Sequence, residues 1–334
     1  MDSATQFLLG ASLAGATLGG RLGARAVLIG GVVATLPDLD SFIPVENAID
    51  NMTYHRGWSH SVIVHTAVAP VLAAGITALL RDGRAHWKAI LLTVWLCLIT
   101  HPMLDSLTTY GTQILWPLDI GPPVAFPAVF IIDPLYTSML LAGVLIAVFM
   151  REKRLRGLRI NRVLLLLSTI YLGVGVTGNF AVQARAAEHP AFAGKDVLVQ
   201  PTPFNILFWQ VLAVDDASYV TGLTPIAGCP IAEVESHRRQ AEPPPVVADD
   251  PSVRRLEWFT DGFYTYQDKG ELLAITDLRM GHHPGFVFSF DIARQNGDGY
   301  DEIEPARAQL LRPRGELVGE LLSTVAKNLR DCMS

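Results

Sequence analysis

Three short polar stretches interrupt the apolar first part of the chain, and each carries side chains of the kinds that bind metal ions. Together they supply three carboxylates and three imidazoles, from Asp38, Asp40, His55, His60, His101 and Asp105. His101 and Asp105 are four residues apart, so a helix would place both on one face. Carboxylate oxygens and imidazole nitrogens bind zinc as well as harder divalent ions. The sequence therefore predicts a site for one or two divalent ions, with zinc as first choice and Mg²⁺ or Mn²⁺ as alternatives.

The segments that would position these groups are apolar runs at residues 62–80, 87–99, 128–150 and 163–180. A further stretch at 4–36 is rich in Gly and Ala, and its second half is short for a span of about 20 residues. That stretch fits a tight helical hairpin, or one helix with a re-entrant segment, because small residues allow close helix packing in lipid. We expect about five or six apolar helices, one pair of which could form such a hairpin.

The composition changes along the chain. Half of the 334 residues are hydrophobic, but the long apolar runs end near residue 180, and charge, Pro and Gly rise after it. This pattern predicts an α-helical membrane domain at 1–180, followed by a small soluble α+β domain at 181–334. In the second domain we expect strands at 205–214, 254–266, 271–276 and 287–292 and a helix at 316–329.

Lys and Arg in short loops set the expected orientation, since positive residues stay on the cytoplasmic side of a membrane. Basic residues crowd into 151–162 and recur at 81–88, so both loops are predicted to lie inside. The loops at 38–60 and 105–127 then face outward, as does the C-terminal domain. We therefore expect a multi-pass protein of a bacterial inner (plasma) membrane, with the three polar stretches on its outer face and the C-terminal domain outside the cytoplasm.

Two further residues are candidates for catalysis. Arg56 is the single Lys or Arg in the two outward loops, and a guanidinium beside metal ions suits a phosphate or a developing oxyanion. A lipid headgroup contact is the alternative. Asp133 lies early in an apolar run and is a candidate for a further ligand, an acceptor for a ligand imidazole or an interfacial carboxylate. His65 and the pair His282-His283 are more typical of structural and surface histidines.

Net charge and the three cysteines allow further expectations about nucleic-acid binding and disulfide bonds. A net charge of −6 and the lack of a basic patch in the soluble part predict no direct binding to nucleic acid. Cys97 lies in an apolar run and fits a core residue. Cys229 and Cys332 could form a disulfide if their domain is extracytoplasmic. Nothing in the sequence indicates an oligomeric state.

The same motifs resemble those of a known family. The segments Asp38-Leu-Asp40, His55-Arg-Gly-Trp-Ser-His60-Ser61, His101-Pro-Met-Leu-Asp105 and Ile132-Asp-Pro134 are similar to motifs of the YdjM-like membrane-bound metal-dependent hydrolases, also described as LexA-binding inner-membrane proteins. The likeness covers roughly residues 25–180. It implies that the three carboxylates and three imidazoles above are the metal-binding set. A more distant likeness of that family to zinc-dependent phospholipase C and single-strand nucleases implies phosphoester hydrolysis.

The expected function is a membrane-embedded, metal-dependent hydrolase of phosphoester bonds in a lipid or lipid-linked substrate, because a site at bilayer level selects amphiphilic molecules. Membrane lipids and a lipid-linked phosphate are its expected partners. An intramembrane metalloprotease or amidase ranks lower, since the sequence has no His-Glu-x-x-His motif. The non-catalytic alternative is a metal-stabilised membrane scaffold, or a sensor or regulatory protein that acts through its C-terminal domain.

Overall fold

The computed structural model describes residues 1–81, 83–118, 120–150, 153–297 and 299–308, together with residues 319, 323, 324 and 327. Contacts between residues divide the chain into two units. The first contains Met1–Ile43 and His55–Gly175, and the second contains Pro44–Tyr54 and Val176–Ser334. The division by contacts thus falls at residue 175, and it assigns part of the loop at 38–60 to the second unit.

Helices make up most of the first unit. In chain order the helices are α1 (Ser3–Leu22), α2 (Ala24–Thr35), α3 (Ala48–Tyr54), α4 (Val62–Leu79), α5 (Trp87–Ser106), α6 (Pro134–Phe149), α7 (Arg154–Glu188) and α8 (Pro251–Phe259). α3 and α8 belong to the second unit, and α7 crosses the division. Short 3-10 helices at Pro37–Phe42 and Trp58–His60 carry two of the polar stretches.

Three helices in the described part of the chain are long and apolar enough to cross a membrane: α4, the segment Gly83–Ser106 that contains α5, and α7. The prediction of five or six was too high. α2 has 12 residues and α6 has 16, and at about 1.5 Å per residue these helices fall short of a hydrocarbon core of about 30 Å. α1 is long enough, but its Gly, Ser and Thr residues and Gln6 lower its mean hydropathy.

The first two helices form a hairpin, one of the two arrangements expected for this stretch. They turn at Gly23, which has φ 61°, a conformation that glycine adopts without strain. Farther along the pair, Gly10 and Gly30 face each other so closely that a methyl carbon on either one would overlap the carbonyl oxygen of the other. The absence of side chains at these two positions lets the backbones of α1 and α2 touch.

A buried apolar cluster joins α1, α2, α4 and α5. Its members include Leu18, Val33, Ala73, Ile90 and Val94, each at most 4% exposed. α1 is also bonded to α7, since Ser12 Oγ donates to Asn161 Oδ1 (2.8 Å) and Asn161 Nδ2 donates to Ser12 O (2.9 Å). Polar contacts of this kind join helices in lipid, where apolar burial alone gives little driving force.

The second unit contains antiparallel sheets. The first sheet has the strand order β1 (Asp196–Pro201), β2 (Phe208–Val214), β3 (Ser218–Pro225), β4 (Ala232–Arg238). The second has the strand order β10 (Gly299–Arg307), β9 (Ser289–Asn296), β6 (Leu272–Asp277), β5 (Tyr264–Asp268). A third, two-stranded sheet pairs β7 (Gly281–His282) with β8 (Gly285–Phe286). Trp209 and Val211 of β2 pack in a buried cluster with Phe192 and with Val182 of α7. A C-terminal domain that contains β-sheet is therefore present.

The predicted strands at 205–214, 271–276 and 287–292 overlap β2, β6 and β9 and are confirmed. The strand predicted at 254–266 is wrong over its first half, which is helix α8. The Asp250 side chain accepts hydrogen bonds from the N–H groups of Ser252 and Val253, and Pro251 occupies the first turn. These two residues favour the start of a helix, and their effect outweighs the strand preference of the aromatic residues that follow. The helix predicted at 316–329 lies mostly outside the described residues. The proposed Cys229–Cys332 pairing also involves a residue outside them, while Cys97 is buried and free.

We expect Gly30→Ala to destabilise the first unit, although Ala ordinarily favours a helix over Gly. The added methyl meets the backbone of α1, and such overpacking costs about 1–3 kcal/mol. Thermal unfolding of the purified protein in detergent, followed by circular dichroism, measures the loss.

Gly20→Ala is the matched control, because a methyl at Gly20 of α1 meets nothing within 4 Å. Its unfolding temperature should equal or slightly exceed that of the wild type. Equal unfolding temperatures for the two variants would show that the close contact in the hairpin does not constrain the fold.

Candidate metal centre

Four of the six predicted ligands converge in the first unit. Asp38, His60, His101 and Asp105 each place one ligand atom within 4.8 Å of the others. His60 Nε2 and His101 Nε2 are 3.1 Å apart, and Asp105 Oδ2 lies 3.2 and 3.4 Å from them. Asp38 Oδ1 lies 3.3 Å from His101 Nε2 and 3.6 Å from His60 Nε2. Among the described residues, this is the one cluster of His, Cys, Asp or Glu with such an arrangement.

Three pieces of local structure position the four candidate ligands. Pro37 begins a 3-10 helix directly after α2 and sets Asp38 in its first turn. His60 ends the 3-10 helix Trp58–His60, immediately before Ser61 caps α4. His101 and Asp105 lie one turn apart on α5 and are both fully buried. The predicted helical spacing therefore does bring imidazole and carboxylate to one point.

The spacing of these four atoms fits a single tetrahedral ion. Bonds of about 2.0–2.2 Å to nitrogen and oxygen place tetrahedral ligands about 3.3–3.6 Å apart, close to the five distances of 3.1–3.6 Å given above. Asp105 Oδ2 is buried and has no hydrogen-bond partner among the described residues. A buried carboxylate oxygen without a partner is costly, and a cation at the centre of the group would satisfy it.

Hydrogen bonds on the far side of each imidazole aim its free nitrogen at the same centre. His101 Nδ1 is 2.6 Å from the carbonyl oxygen of Ala34, which can only accept, so Nδ1 carries the proton. His60 Nδ1 is 3.0 Å from Ser59 Oγ, whose own proton goes to Asp40 Oδ2 (2.5 Å). In the neutral rings both Nε2 atoms then present lone pairs to each other, an arrangement that a metal ion stabilises.

Asp38, the least buried of the four ligands, is ionised. Burial raises its pKa, but hydrogen bonds from His101 and His60, formed when Nε2 of those rings carries a proton, outweigh that effect and hold the pKa of the Asp38 carboxyl well below its usual range. Ser3 Oγ donates to the other oxygen, Asp38 Oδ2, at 2.7 Å. The carboxylate is thus charged and oriented with Oδ1 toward the group.

Asp40 and His55, the other two predicted ligands, lie beside the group rather than in it. His55 Nδ1 is 2.8 Å from Asp40 Oδ1, and the Arg56 backbone N–H donates to Asp40 Oδ2 at 3.1 Å. Through Ser59, Asp40 also supports the ring of His60. Burial raises the pKa of Asp40, but the His55 contact lowers it below its usual value. The pair therefore orients the imidazole of His60, a candidate ligand, as carboxylates commonly do around metal sites.

Arg56 is buried against the same group. Its backbone has φ 63°, a left-handed conformation that is strained for a residue with a side chain. Arg56 Nη2 lies 3.4 Å from Asp105 Oδ1, Nη1 donates to Thr108 Oγ1 at 3.2 Å, and the guanidinium covers the Tyr110 ring at 4.7 Å. Nε is buried without a partner among the described residues. A fixed positive charge with a spare donor therefore adjoins the group.

The sequence interpretation missed the start of α1. Gln6 is fully buried and its Nε2 donates to Asp105 Oδ1 (3.1 Å) and to His101 O (3.2 Å). The Met1 amino group also donates to Asp105 Oδ1. The position of Gln6 within an apolar helix could have predicted such a contact, because polar residues in membrane helices usually have hydrogen-bonding partners.

The remaining candidates lie outside the four-atom group. Asp133 is the N-cap of α6: Oδ1 accepts the N–H groups of Leu135 and Tyr136, and Oδ2 accepts the Tyr171 hydroxyl at 2.8 Å. Asp133 has no hydrogen bond to an imidazole among the described residues, so its carboxylate acts as the cap of α6. His65 Nε2 lies 2.7 Å from Ser59 O and so supports the turn that carries His60.

Comparison with known proteins agrees with the membrane character of the first unit. A family model described as YdjM inner membrane protein matches residues 1–180, which include all four grouped ligands. Inner membrane protein YbcI of Escherichia coli (strain K12) is 36% identical over 100 residues, which are 28% of this chain and 54% of that protein. The chain thus spans about half the length of that relative. No solved structure matches the chain.

We expect one divalent ion per chain, lost when a grouped ligand is removed. Elemental analysis of the purified full chain should find no bound ion in His101→Ala or Asp105→Asn. His55→Ala should keep one ion per chain, with affinity weakened about 10–100-fold, since removal of a supporting partner has that effect.

Circular dichroism of each variant separates ligand loss from unfolding. Two ions per chain in the wild type, or complete loss of metal in folded His55→Ala, would contradict a four-ligand centre and favour the six-ligand set.

Asp133→Ala should destabilise the protein by about 0.5–2 kcal/mol through loss of the helix cap while leaving the metal content unchanged. Asp133→Ser can still cap α6 and should be nearly neutral. Thermal unfolding together with elemental analysis decides between the roles, because loss of the ion from both variants would assign Asp133 to the metal centre.

Proposed function

The chain belongs to the YdjM inner membrane protein family, and on that premise we propose that it is a membrane-embedded, metal-dependent hydrolase of phosphoester bonds. The substrate class we propose is a lipid or a lipid-linked phosphate, and the metal is zinc, with Mg²⁺ or Mn²⁺ as alternatives. One observation carries the proposal: three members of the His/Asp group are buried and the fourth, Asp38, is partly buried, while residues next to them in sequence expose apolar side chains. The proposal also places the group at the outer face of the membrane, with the C-terminal domain outside the cytoplasm.

Exposed apolar side chains are neighbours in sequence of all four candidate ligands. Leu39 lies between Asp38 and Asp40, Trp58 precedes His60 by two residues, and Met103 lies between His101 and Asp105; all three are 52–53% exposed. Phe42, in the same 3-10 helix as Asp38, is 82% exposed. Exposed apolar patches mark contact with membrane or ligand, and Trp favours the lipid–water interface. Such exposed apolar residues support an amphiphilic substrate over a water-soluble one.

A bound divalent ion would lower the pKa of a water molecule and stabilise charge on the oxygens of a phosphoester. The chain's own part is to hold that ion and to bind the anion beside it. Arg56, fixed by Thr108 and by the Tyr110 ring, would donate from Nε to a phosphoryl oxygen. A preorganised donor of this kind acts most strongly in a site that excludes water.

His55 is suited to move a proton. Asp40 holds its Nδ1 at 2.8 Å, which leaves Nε2 as the atom that would take a proton from water or give one to the leaving oxygen. The ring centroid lies 5.6 Å from that of His60, so the imidazole is close to the group without belonging to it. An Asp–His pair in this relation is a common general acid–base arrangement.

A non-catalytic function is the second candidate, and one observation favours it. Four protein ligands at tetrahedral spacing leave no position for water, as in structural zinc sites. The ion would then clamp the start of α4 and the end of α5, and the protein would act as a scaffold or sensor through its C-terminal domain. Turnover of a substrate separates the two functions.

We expect metal-dependent release of phosphate or headgroup when the full chain, in detergent or nanodiscs, is given phosphatidic acid, lipid pyrophosphates and phospholipid diesters. Arg56→Gln should keep its metal and lose roughly 10²–10³-fold in kcat, and His55→Gln should lose about 10²-fold or more. Asp105→Asn should lose both the metal and the activity.

Arg21→Gln is the control, since the side chain of Arg21 bonds to a backbone carbonyl of α1 and to no other residue that the structure describes; the activity and metal content of this variant should match the wild type. Metal-loaded wild-type protein that cleaves none of these substrates, with an ion that chelators fail to remove, would replace the hydrolase with the scaffold.

A further inference from the structure

One cavity of the first unit lies far from the candidate metal centre. It is a groove of about 1040 Å³ between the end of α4 and the beginning of α5, beyond the ~300–1,000 Å³ typical of pockets for small molecules. The metal ligands occupy the opposite ends of these helices. Fourteen residues separate Trp87 from His101, or about 21 Å along a helix. The groove is therefore a separate feature of the first unit.

The floor and the mouth of the groove differ in chemistry. The floor consists of small and aliphatic side chains, among them Ala73, Ala74, Ala78, Leu80 and Leu91. Both walls belong to candidate membrane spans, so in a bilayer the groove opens to hydrocarbon and would be filled by an acyl chain rather than by water.

The mouth carries positive charge. Arg81 and Arg84 line it together with Trp87, and no Asp or Glu is among the described lining residues. Neither guanidinium has a hydrogen bond or ion pair with a described residue. By contrast, Arg154 and Arg162 donate to backbone carbonyls of α1. In the sequence, residues 81–88 hold three basic residues and one acidic residue, Asp82, so the mouth keeps a net positive charge.

We propose that this groove binds an anionic phospholipid. One acyl chain lies between α4 and α5, and the phosphate accepts hydrogen bonds from Arg81 and Arg84. Arg is well suited to phosphate, because its planar fork offers several donors. Trp87 stands at the level of the headgroup, where Trp is enriched in membrane proteins. Basic pockets between helices at the membrane surface bind lipid headgroups in this way.

Quenching of Trp87 fluorescence by phosphatidylglycerol with brominated acyl chains tests the proposal on the full chain in detergent. The difference between wild type and Trp87→Phe isolates the signal of this residue from the other tryptophans. Arg81→Gln combined with Arg84→Gln should raise the half-quenching concentration about tenfold or more. Ala74→Phe combined with Ala78→Phe should raise it similarly with the charges intact, because both alanines line the groove and are exposed.

Two controls separate the site from general effects. Ala67→Phe adds a ring to an exposed position of α4 outside the groove, and Arg25→Gln removes an exposed charge elsewhere; both should quench like the wild type. Unchanged unfolding temperatures show that each variant is folded.

Equal quenching by brominated phosphatidylcholine would overturn the anionic specificity. Displacement by inorganic phosphate alone, or wild-type quenching in the Ala74/Ala78 variant, would overturn the acyl-chain contact. None of these outcomes bears on hydrolysis, because the variants leave the metal ligands in place.

Discussion

Two carboxylates and two imidazoles lie within 4.8 Å of one another in a unit made of apolar helices, and this concentration of charge constrains the rest of that unit. Two negative groups so close together repel strongly wherever water is excluded. Arg56 and the Met1 amino group offset part of the repulsion, since both contact Asp105. A divalent ion would offset the remainder and also satisfy the unpartnered Asp105 Oδ2. The arrangement of helices around the group is therefore the arrangement that keeps these charges matched.

The hairpin of α1 and α2 supplies the supports for this group. α1 contributes Gln6, which bonds to Asp105, and α2 contributes the Ala34 carbonyl, which fixes the ring of His101. The two helices touch closely at Gly10 and Gly30. Since each helix of the hairpin bonds to a candidate ligand of α5, the packing of the hairpin contributes to the geometry of the candidate site.

The pair of α4 and α5 meets lipid differently at its two ends. At the end that carries the His/Asp group, Trp58 and Met103 are exposed apolar residues next to buried His60, His101 and Asp105 in sequence. At the other end, a groove with an apolar floor has two arginines at its mouth. Each end combines a polar group with an apolar surface, which is the chemistry of an amphiphilic molecule. The two features serve different proposals, one for a substrate and one for a bound lipid.

The sequence by itself determined the ligand types and much of the local structure. The spacing of His101 and Asp105 predicted that both side chains lie on one face of a helix, and the apolar runs identified α4, α5 and α7. Hydropathy and length overestimated the number of spans, because a run of apolar residues does not reveal where a helix begins. Asp133 illustrates this, since it caps α6 and thereby shortens that helix below the thickness of a bilayer.

Only the tertiary structure decided which polar residues share one centre. Asp38 and Asp40 are two residues apart, yet one joins the group and the other orients His55 and Ser59. Gln6 and Ala34 contact residues 99 and 67 positions away in sequence, and the left-handed backbone at Arg56 follows no local signal. Such contacts depend on how helices pack, because distances between side chains far apart in sequence are fixed by packing and not by spacing along the chain.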